Sequence, residues 1–370
     1  MKLPAFELER YFARYEFTAP YLLCCSDCES FSVQELLGLE PGAEEALLQL
    51  RLGYTESLGA PQLRQQIAAL YQDVSPDEIL VHSGAEEAIF NFMNVLLEPG
   101  DHVIVHSPCY QSLYEAAAAL GCQVTRWVGS PQRGWALDLE DLKASLKPHT
   151  RLVIINLPHN PTGYLMEREM FLELVGLSQK FGFIIFSDEV YRLLEYDPVD
   201  RLPALCEMDE RGVSLGVMSK SFGLAGLRIG WIATHNRELY RQLAAFKDYT
   251  TICNSAPAEF FAILALQHRQ RLLERNRRLI LENLRVLNAF FARHIEHFRW
   301  RMPKAGPIAF PQLLNEDVAQ YCHRLVSEAG VLLLPGTLYA PGYNHFRIGF
   351  GRRSLPQCVE HWENWIMARH

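Results

Sequence analysis

The 370-residue chain contains no stretch of about 18 uncharged apolar residues, which excludes a membrane-spanning helix of ordinary length. It has no basic surplus. Lys and Arg number 35 against 43 Asp and Glu, a net charge of −8, which argues against a general nucleic-acid binder. A secretory signal needs an apolar run near the start, and Glu7, Glu9 and Arg10 fall where it would lie, so a cytoplasmic protein is expected. Zinc-ribbon spacing is absent. Cys25-Ser26-Asp27-Cys28 is a lone C-x-x-C without a second pair, and the nine cysteines, scattered from Cys24 to Cys358, read as reduced thiols; no metal is expected. There is no internal repeat, no low-complexity run and no G-x-G-x-x-G, so a Rossmann dinucleotide site is unsupported.

What is present is ordinary globular composition, 49% hydrophobic and 21% charged, long enough for two or three domains. The middle of the chain alternates strand-like and helix-like segments, the pattern of an α/β domain. Ile79–His82, His102–Ser107, Gln123–Trp127, Arg151–Asn156, Phe183–Asp188, Val213–Ser219 and Arg228–Ala233 read as strands. Between them lie helical patterns ended by Gly121 and Gly182 or started by Asp138. After Pro257 a long charged helical stretch runs to about His294, followed by short strands near Phe298–Met302, Ile308–Leu313, Val331–Leu334 and His345–Phe350, with helices over Asn315–Glu328 and Leu355–Met367. The expected division is an N-terminal arm (1–44), a large α/β domain with a mainly parallel sheet between helices (45–255), and a smaller α+β domain (256–370).

Three polar clusters follow predicted buried strands, at the sheet edge where open α/β folds bind ligands. They are Asn160-Pro161-Thr162-Gly163, Asp188-Glu189-Val190-Tyr191 and Ser219-Lys220-Ser221. Each alone has a plain structural reading: a turn, a helix cap, a solvated lysine. Together they supply the groups that pyridoxal phosphate requires. A lysine amine forms a Schiff base with its aldehyde. A carboxylate keeps its ring nitrogen protonated, so the ring withdraws electrons. An amide and a phenol hold its phenolate oxygen. His82-Ser83-Gly84-Ala85-Glu86, between a strand and a helix, has the form of a phosphate-binding helix start.

With these blocks the chain resembles a class I/II aminotransferase of the fold-type-I pyridoxal-phosphate superfamily over roughly residues 50–350. The resemblance rests on Gly53-Tyr54, Ser83-Gly84-Ala85, Pro108-Cys109-Tyr110, Pro158-His159-Asn160-Pro161-Thr162-Gly163, Ser187-Asp188-Glu189-Val190-Tyr191, Ser219-Lys220-Ser221-Phe222-Gly223, Gly226-Leu227-Arg228-Ile229-Gly230 and Phe346-Arg347-Ile348-Gly349. It implies pyridoxal 5′-phosphate as cofactor and Lys220 as the covalent anchor and proton carrier. Asp188 pairs with the ring nitrogen, Asn160 and Tyr191 hold the phenolate oxygen, and Tyr110 stacks on the ring. Gly84, Ala85, Glu86, Ser219 and Arg228 take the phosphate, and Arg347 takes the substrate α-carboxylate. Tyr54 reaches the phosphate of a neighbouring subunit, which implies a homodimer. The substrates implied are an amino acid and a 2-oxo acid.

The chain departs from that pattern in three places. Val217 stands where family members usually carry a hydroxyl, and Glu86 puts a carboxylate beside the phosphate loop. The segment Cys25–Ser30 replaces a G-E-P-D-like stretch that lines the substrate pocket, and the opening residues also resemble a capreomycidine-synthase-like subgroup. Elimination, cyclisation or decarboxylation on the same fold is therefore the alternative to transamination, and a non-enzymatic cofactor-binding regulatory module is an outside one. Asp27 and Glu29, with Asp248, are the acids expected to face the substrate side chain, favouring a cationic or guanidino amino acid.

Overall fold

The computed structural model describes residues 2–369. Its centre is a seven-stranded sheet in the order Ile79–His82, Gly230–Ala233, Val213–Val217, Ile184–Asp188, Thr150–Asn156, His102–Ser107, Gln123–Val128. All neighbours are parallel except Gly230–Ala233, which runs against both of its partners. The central strands are buried along almost their whole length, which is why they read as continuous apolar runs rather than alternating ones. Helices cover the sheet. In the helix Ala85–Leu96, Phe92 places its ring 4.5 Å from that of Phe186, and both are fully buried. Each such side chain contributes about 1.5–3 kcal/mol.

Several boundaries differ from the sequence-based expectation for identifiable reasons. The strand expected from Arg228 begins at Gly230, because Arg228 adopts a left-handed backbone (φ 52°) that ends the preceding turn. The long helical stretch after Pro257 is two helices, Ala256–Gln267 and Arg269–Arg293, with His268 outside helical geometry between them. Ile308–Leu313 is broken at Phe310-Pro311 into two two-residue strands, since proline cannot donate to the ladder.

The C-terminal portion carries a three-stranded sheet, Ile308–Ala309, Phe346–Gly349 and Leu334–Pro335, backed by the helices Val318–Ala329 and Leu355–Met367. The N-terminal segment joins it. Tyr21–Leu22 pairs in parallel with Val331–Leu332, and Gly349 N donates to the Leu23 carbonyl. This pairing lays the helix Glu7–Tyr15 against the sheet edge that carries the polar clusters. All nine cysteines are free thiols.

Candidate active site

Strand register brings the clusters together. Asn156 is opposite Asp188, Asp188 opposite Leu215, and both Val217 and His82 opposite Gly230. The chain leaving each strand, or entering it at Gly230, therefore meets at one edge. A cavity of about 510 Å³ lies there. Lys220, Asp188, Asn160 and Tyr191 line it, together with Ala85, Glu86, Tyr110, Ser219, Arg228 and Arg347.

Gly84 precedes the 12-residue helix Ala85–Leu96 with φ +89°, and a Cβ there would lie 2.4 Å from Nη2 of Arg228. A side chain is therefore excluded twice, by the backbone and by the guanidinium. Gly230 lets its strand approach equally closely, since its Cβ would sit 2.7 Å from the Gly84 carbonyl carbon. The result is a helix N-terminus beside a guanidinium, a cradle suited to phosphate.

Burial pushes the Asp188 carboxyl up to about 7, against the smaller pull of the Val190 amide, which donates to Oδ1 at 3.2 Å, and of Lys220. No basic side chain forms an ion pair with it among the described residues. A buried acid in that position calls for a cation, and a protonated ring nitrogen is one. Burial also lowers the Lys220 ammonium, and Arg347 adds to this against the opposing Asp27 and Asp188; the amine donates to Ser26 Oγ at 2.9 Å. Lowering favours the neutral, nucleophilic amine. The Tyr191 hydroxyl is buried without a partner at hydrogen-bonding distance, Ser26 making a looser contact.

Arg347 is 2% exposed. Its Nε and Nη2 donate to the Cys24 carbonyl at 3.1 and 2.8 Å, and Nη1 donates to the Tyr339 hydroxyl at 2.8 Å and to Asn160 Oδ1 at 3.2 Å. With its oxygen occupied by Arg347 and Tyr339, Asn160 keeps its amide NH₂ for an acceptor in the cleft. Tyr110 lies against Phe6, ring centroids 4.9 Å apart, and its hydroxyl donates to Glu9 at 3.0 Å.

The residues thus fit pyridoxal phosphate: cradle, unpaired buried acid, poised amine, and an unpartnered phenol. Bound there, the cofactor supplies an electron sink for the bonds at the substrate Cα. Lys220 and Arg347 line the same cavity, the one with an amine and the other with a guanidinium that would suit a carboxylate.

Of the acids expected at the substrate side chain, Asp27 lines the cleft and Glu29 does not. Asp27 reaches the cleft, but Arg352 holds both its oxygens, at 2.9 and 3.0 Å from Nη2, so its charge is already matched. Glu29 is absent from the cleft wall; its carboxylate accepts from the Arg353 amide at 2.9 Å. Asp248 is exposed at the end of the helix Arg237–Lys247, and Lys247 is buried, donating to the carbonyls of Ser57 and Ile252. Tyr54 does not enter this cleft within one chain. It is 92% exposed beside a separate surface cavity with Cys253 and Asn254. Sequence reasoning missed Ser26, Tyr339 and the cleft face of the N-terminal helix, Phe6, Glu9, Phe12 and Glu16. The spacing of Glu9, Phe12 and Glu16, three and then four residues, is a helical stripe that was available as a signal.

Glu86, in the first turn beside the cradle, is raised to about 7 by burial, with Glu9 adding to the shift and Ser112 and Arg228 opposing it. Below that pH it is neutral, and above it a carboxylate repels the phosphate. Cofactor affinity should therefore carry a component that weakens as pH rises through 7. Ionisation of Asp188 acts in the opposite sense, so the profile of Glu86→Gln must be compared with wild type. From pH 6 to 8 the variant should gain affinity relative to wild type, by up to about tenfold. A constant ratio across that range, read by fluorescence titration of cofactor, would remove Glu86 from this role.

Lysine, buried acid and phosphate cradle at the C-terminal edge of a mainly parallel sheet define a fold-type-I pyridoxal-phosphate enzyme. The sequence carries this further: the chain belongs to the aminotransferase class I and II family, whose profile matches residues 34–356. It is 32% identical over 355 residues to capreomycidine synthase of Streptomyces vinaceus, covering 94% of this chain and 90% of that protein. It is 29% identical over 346 residues to an aspartate aminotransferase of Thermotoga maritima, covering 89% and 88%. A crystal structure of a pyridoxal-phosphate-dependent aminotransferase from Streptococcus suis superposes with a TM-score of 0.94 at 32% identity, covering 100% of this chain and 99% of that one. As a member of this family the protein is a pyridoxal-phosphate-dependent aminotransferase.

Proposed function

We propose that the protein transfers an amino group between an amino acid and a 2-oxo acid, as a cytoplasmic homodimer with shared active sites. The observation that carries this reading is the pairing, across one cleft, of the Lys220 amine with the Arg347 guanidinium. One moves a proton at Cα while the other holds the α-carboxylate, and these are the two demands that amino and oxo acid share. The roles of Asn160, Tyr191, Tyr110, Ser219 and Arg228 belong to the same reading. No helix among the described residues is long and apolar enough to cross a membrane.

A half reaction tests it. An amino acid added without acceptor should release one equivalent of its 2-oxo acid per active site and leave the enzyme unable to continue until a 2-oxo acid is supplied. Cyclisation, elimination or decarboxylation on the same scaffold is the second reading, favoured by the likeness to capreomycidine synthase. Turnover of a single amino acid without any oxo-acid acceptor would establish it instead.

Exposed apolar side chains support the dimer. Leu48, Leu52, Tyr54 and Tyr249 are 80%, 81%, 92% and 91% exposed. The segments carrying Tyr54 and Tyr249 are tied together, with Thr55 Oγ1 donating to the Asn254 carbonyl and Lys247 Nζ to that of Ser57. A second copy of the chain would cover these side chains, and two-fold pairing is the commonest assembly. Sedimentation should show a dimer, and Tyr54→Phe should weaken cofactor binding about tenfold, the value of a hydrogen bond to a charged group. A fully active monomer at nanomolar concentration would exclude this assembly.

A further inference from the structure

We propose that Glu9 and Glu16, on one face of the N-terminal helix, form a cation subsite that selects substrates whose side chain ends in an ammonium or guanidinium group. The proposal rests on the amino-acid reading above and assigns the substrate class of that same cleft.

The helix spans Glu7–Tyr15, with Glu16 as its C-cap. Glu9 and Glu16 are seven residues apart, about 10 Å along the axis and on the same face. Phe12 lies between them, and its ring centroid is 5.6 Å from the Arg347 guanidinium carbon. All three line the cavity that holds Lys220 and Arg347. The two carboxylates therefore flank the position above the α-carboxylate grip, where a substrate side chain must go.

The charges around the cleft leave these acids over. Lys220 is reserved for the cofactor aldehyde, Arg228 for the phosphate and Arg347 for the α-carboxylate. Asp188 is reserved for the ring nitrogen, and Asp27 is matched by Arg352. Glu9 accepts a neutral hydrogen bond from Tyr110 and, like Glu16, forms no ion pair among the described residues. Burial raises the Glu16 carboxyl against the pull of Arg352 and Lys220, with Asp27 and Glu9 adding to the rise. Helix electrostatics accounts for Glu9 but not for Glu16. An acid in the first turn, such as Glu9, complements the helix dipole, but an acid at the C-terminal end, such as Glu16, opposes it. A dicarboxylate substrate would meet two like charges here, and a cationic one would gain charge-assisted hydrogen bonds.

The test uses holoenzyme and pairs that differ in charge: arginine against its isostere citrulline, and lysine against norleucine, which lacks the ammonium group, with aspartate and leucine as controls. Both kcat/KM and calorimetric dissociation constants are read. Wild type should favour arginine over citrulline, or lysine over norleucine, by ten- to a hundredfold, on the order expected for hydrogen bonds to charged groups. Glu9→Gln and Glu16→Gln should each shrink that ratio, and Glu16→Gln should do so while leaving the neutral member's constants, the cofactor absorption band and the thermal midpoint unchanged. Preference for aspartate or leucine would overturn the proposal, as would a charged-to-neutral ratio that neither variant moves. Selective binding of the cation without release of a 2-oxo acid would support the subsite while overturning the transamination reading, so the two failures are distinct.

Discussion

Lys220→Ala should yield a folded protein with no measurable turnover. The side chain is half-buried at the sheet edge and its ammonium is lowered by desolvation there, so its removal relieves a cost of folding rather than creating one. The Ser26 hydroxyl loses its 2.9 Å partner, and little else changes. The chemistry fares differently. Without an amine, nothing anchors the cofactor covalently and nothing carries the Cα proton, a loss on the order of 10⁴-fold or more. The cradle of Gly84, Arg228 and the helix start remains, so cofactor should still bind, without the absorption band of a covalent link. A purified Lys220→Ala protein that formed that link would assign the anchor to another residue.

Asp188→Asn should separate stability from activity. A neutral amide cannot keep the ring nitrogen protonated, and the rate should fall by two powers of ten or more, on the order of 3 kcal/mol. The cofactor-free protein should move the other way. Asp188 is raised from 3.8 to about 7 by burial, so the folded state holds a proton that the unfolded chain gives up more easily. Its contribution to stability is present below about pH 4 and is lost as pH rises through 7. Above pH 7 the asparagine variant avoids burying a charge and should melt later than wild type, by up to a few kcal/mol in free energy. Calorimetry of both apoproteins at pH 5 and pH 8 checks this. Near-normal turnover, or an unchanged pH dependence of stability, would remove Asp188 from the role.

The cofactor half of the site was legible because each of its residues lies within a few positions of its own strand. Asp188 ends one, and Asn160 and Lys220 follow theirs by three or four residues, so an apolar run and the sheet-edge rule suffice to bring them together. The substrate half was not legible in this way. Asp27 read as a free acid because its partner, Arg352, lies 325 residues along the chain. Glu9 and Glu16 had no strand to place them, and their approach depends on Tyr21–Leu22 finding Val331–Leu332. Tyr339, which orients both Arg347 and Asn160, follows a short 3-10 turn with no motif of its own.

The pairing of Tyr21–Leu22 with Val331–Leu332 also sets an order of assembly. The contacts that close the cleft, such as Arg347 on the Cys24 carbonyl, span 323 residues, whereas the cradle and the lysine lie between residues 84 and 228. Ring closure over so long a loop is slow and waits until nearly all the chain has been synthesised. A protein still emerging from the ribosome could therefore acquire its cofactor-binding sheet well before it acquires a wall to judge substrates. Changes in the first 25 residues should accordingly appear as lost selectivity in an enzyme that still carries its cofactor.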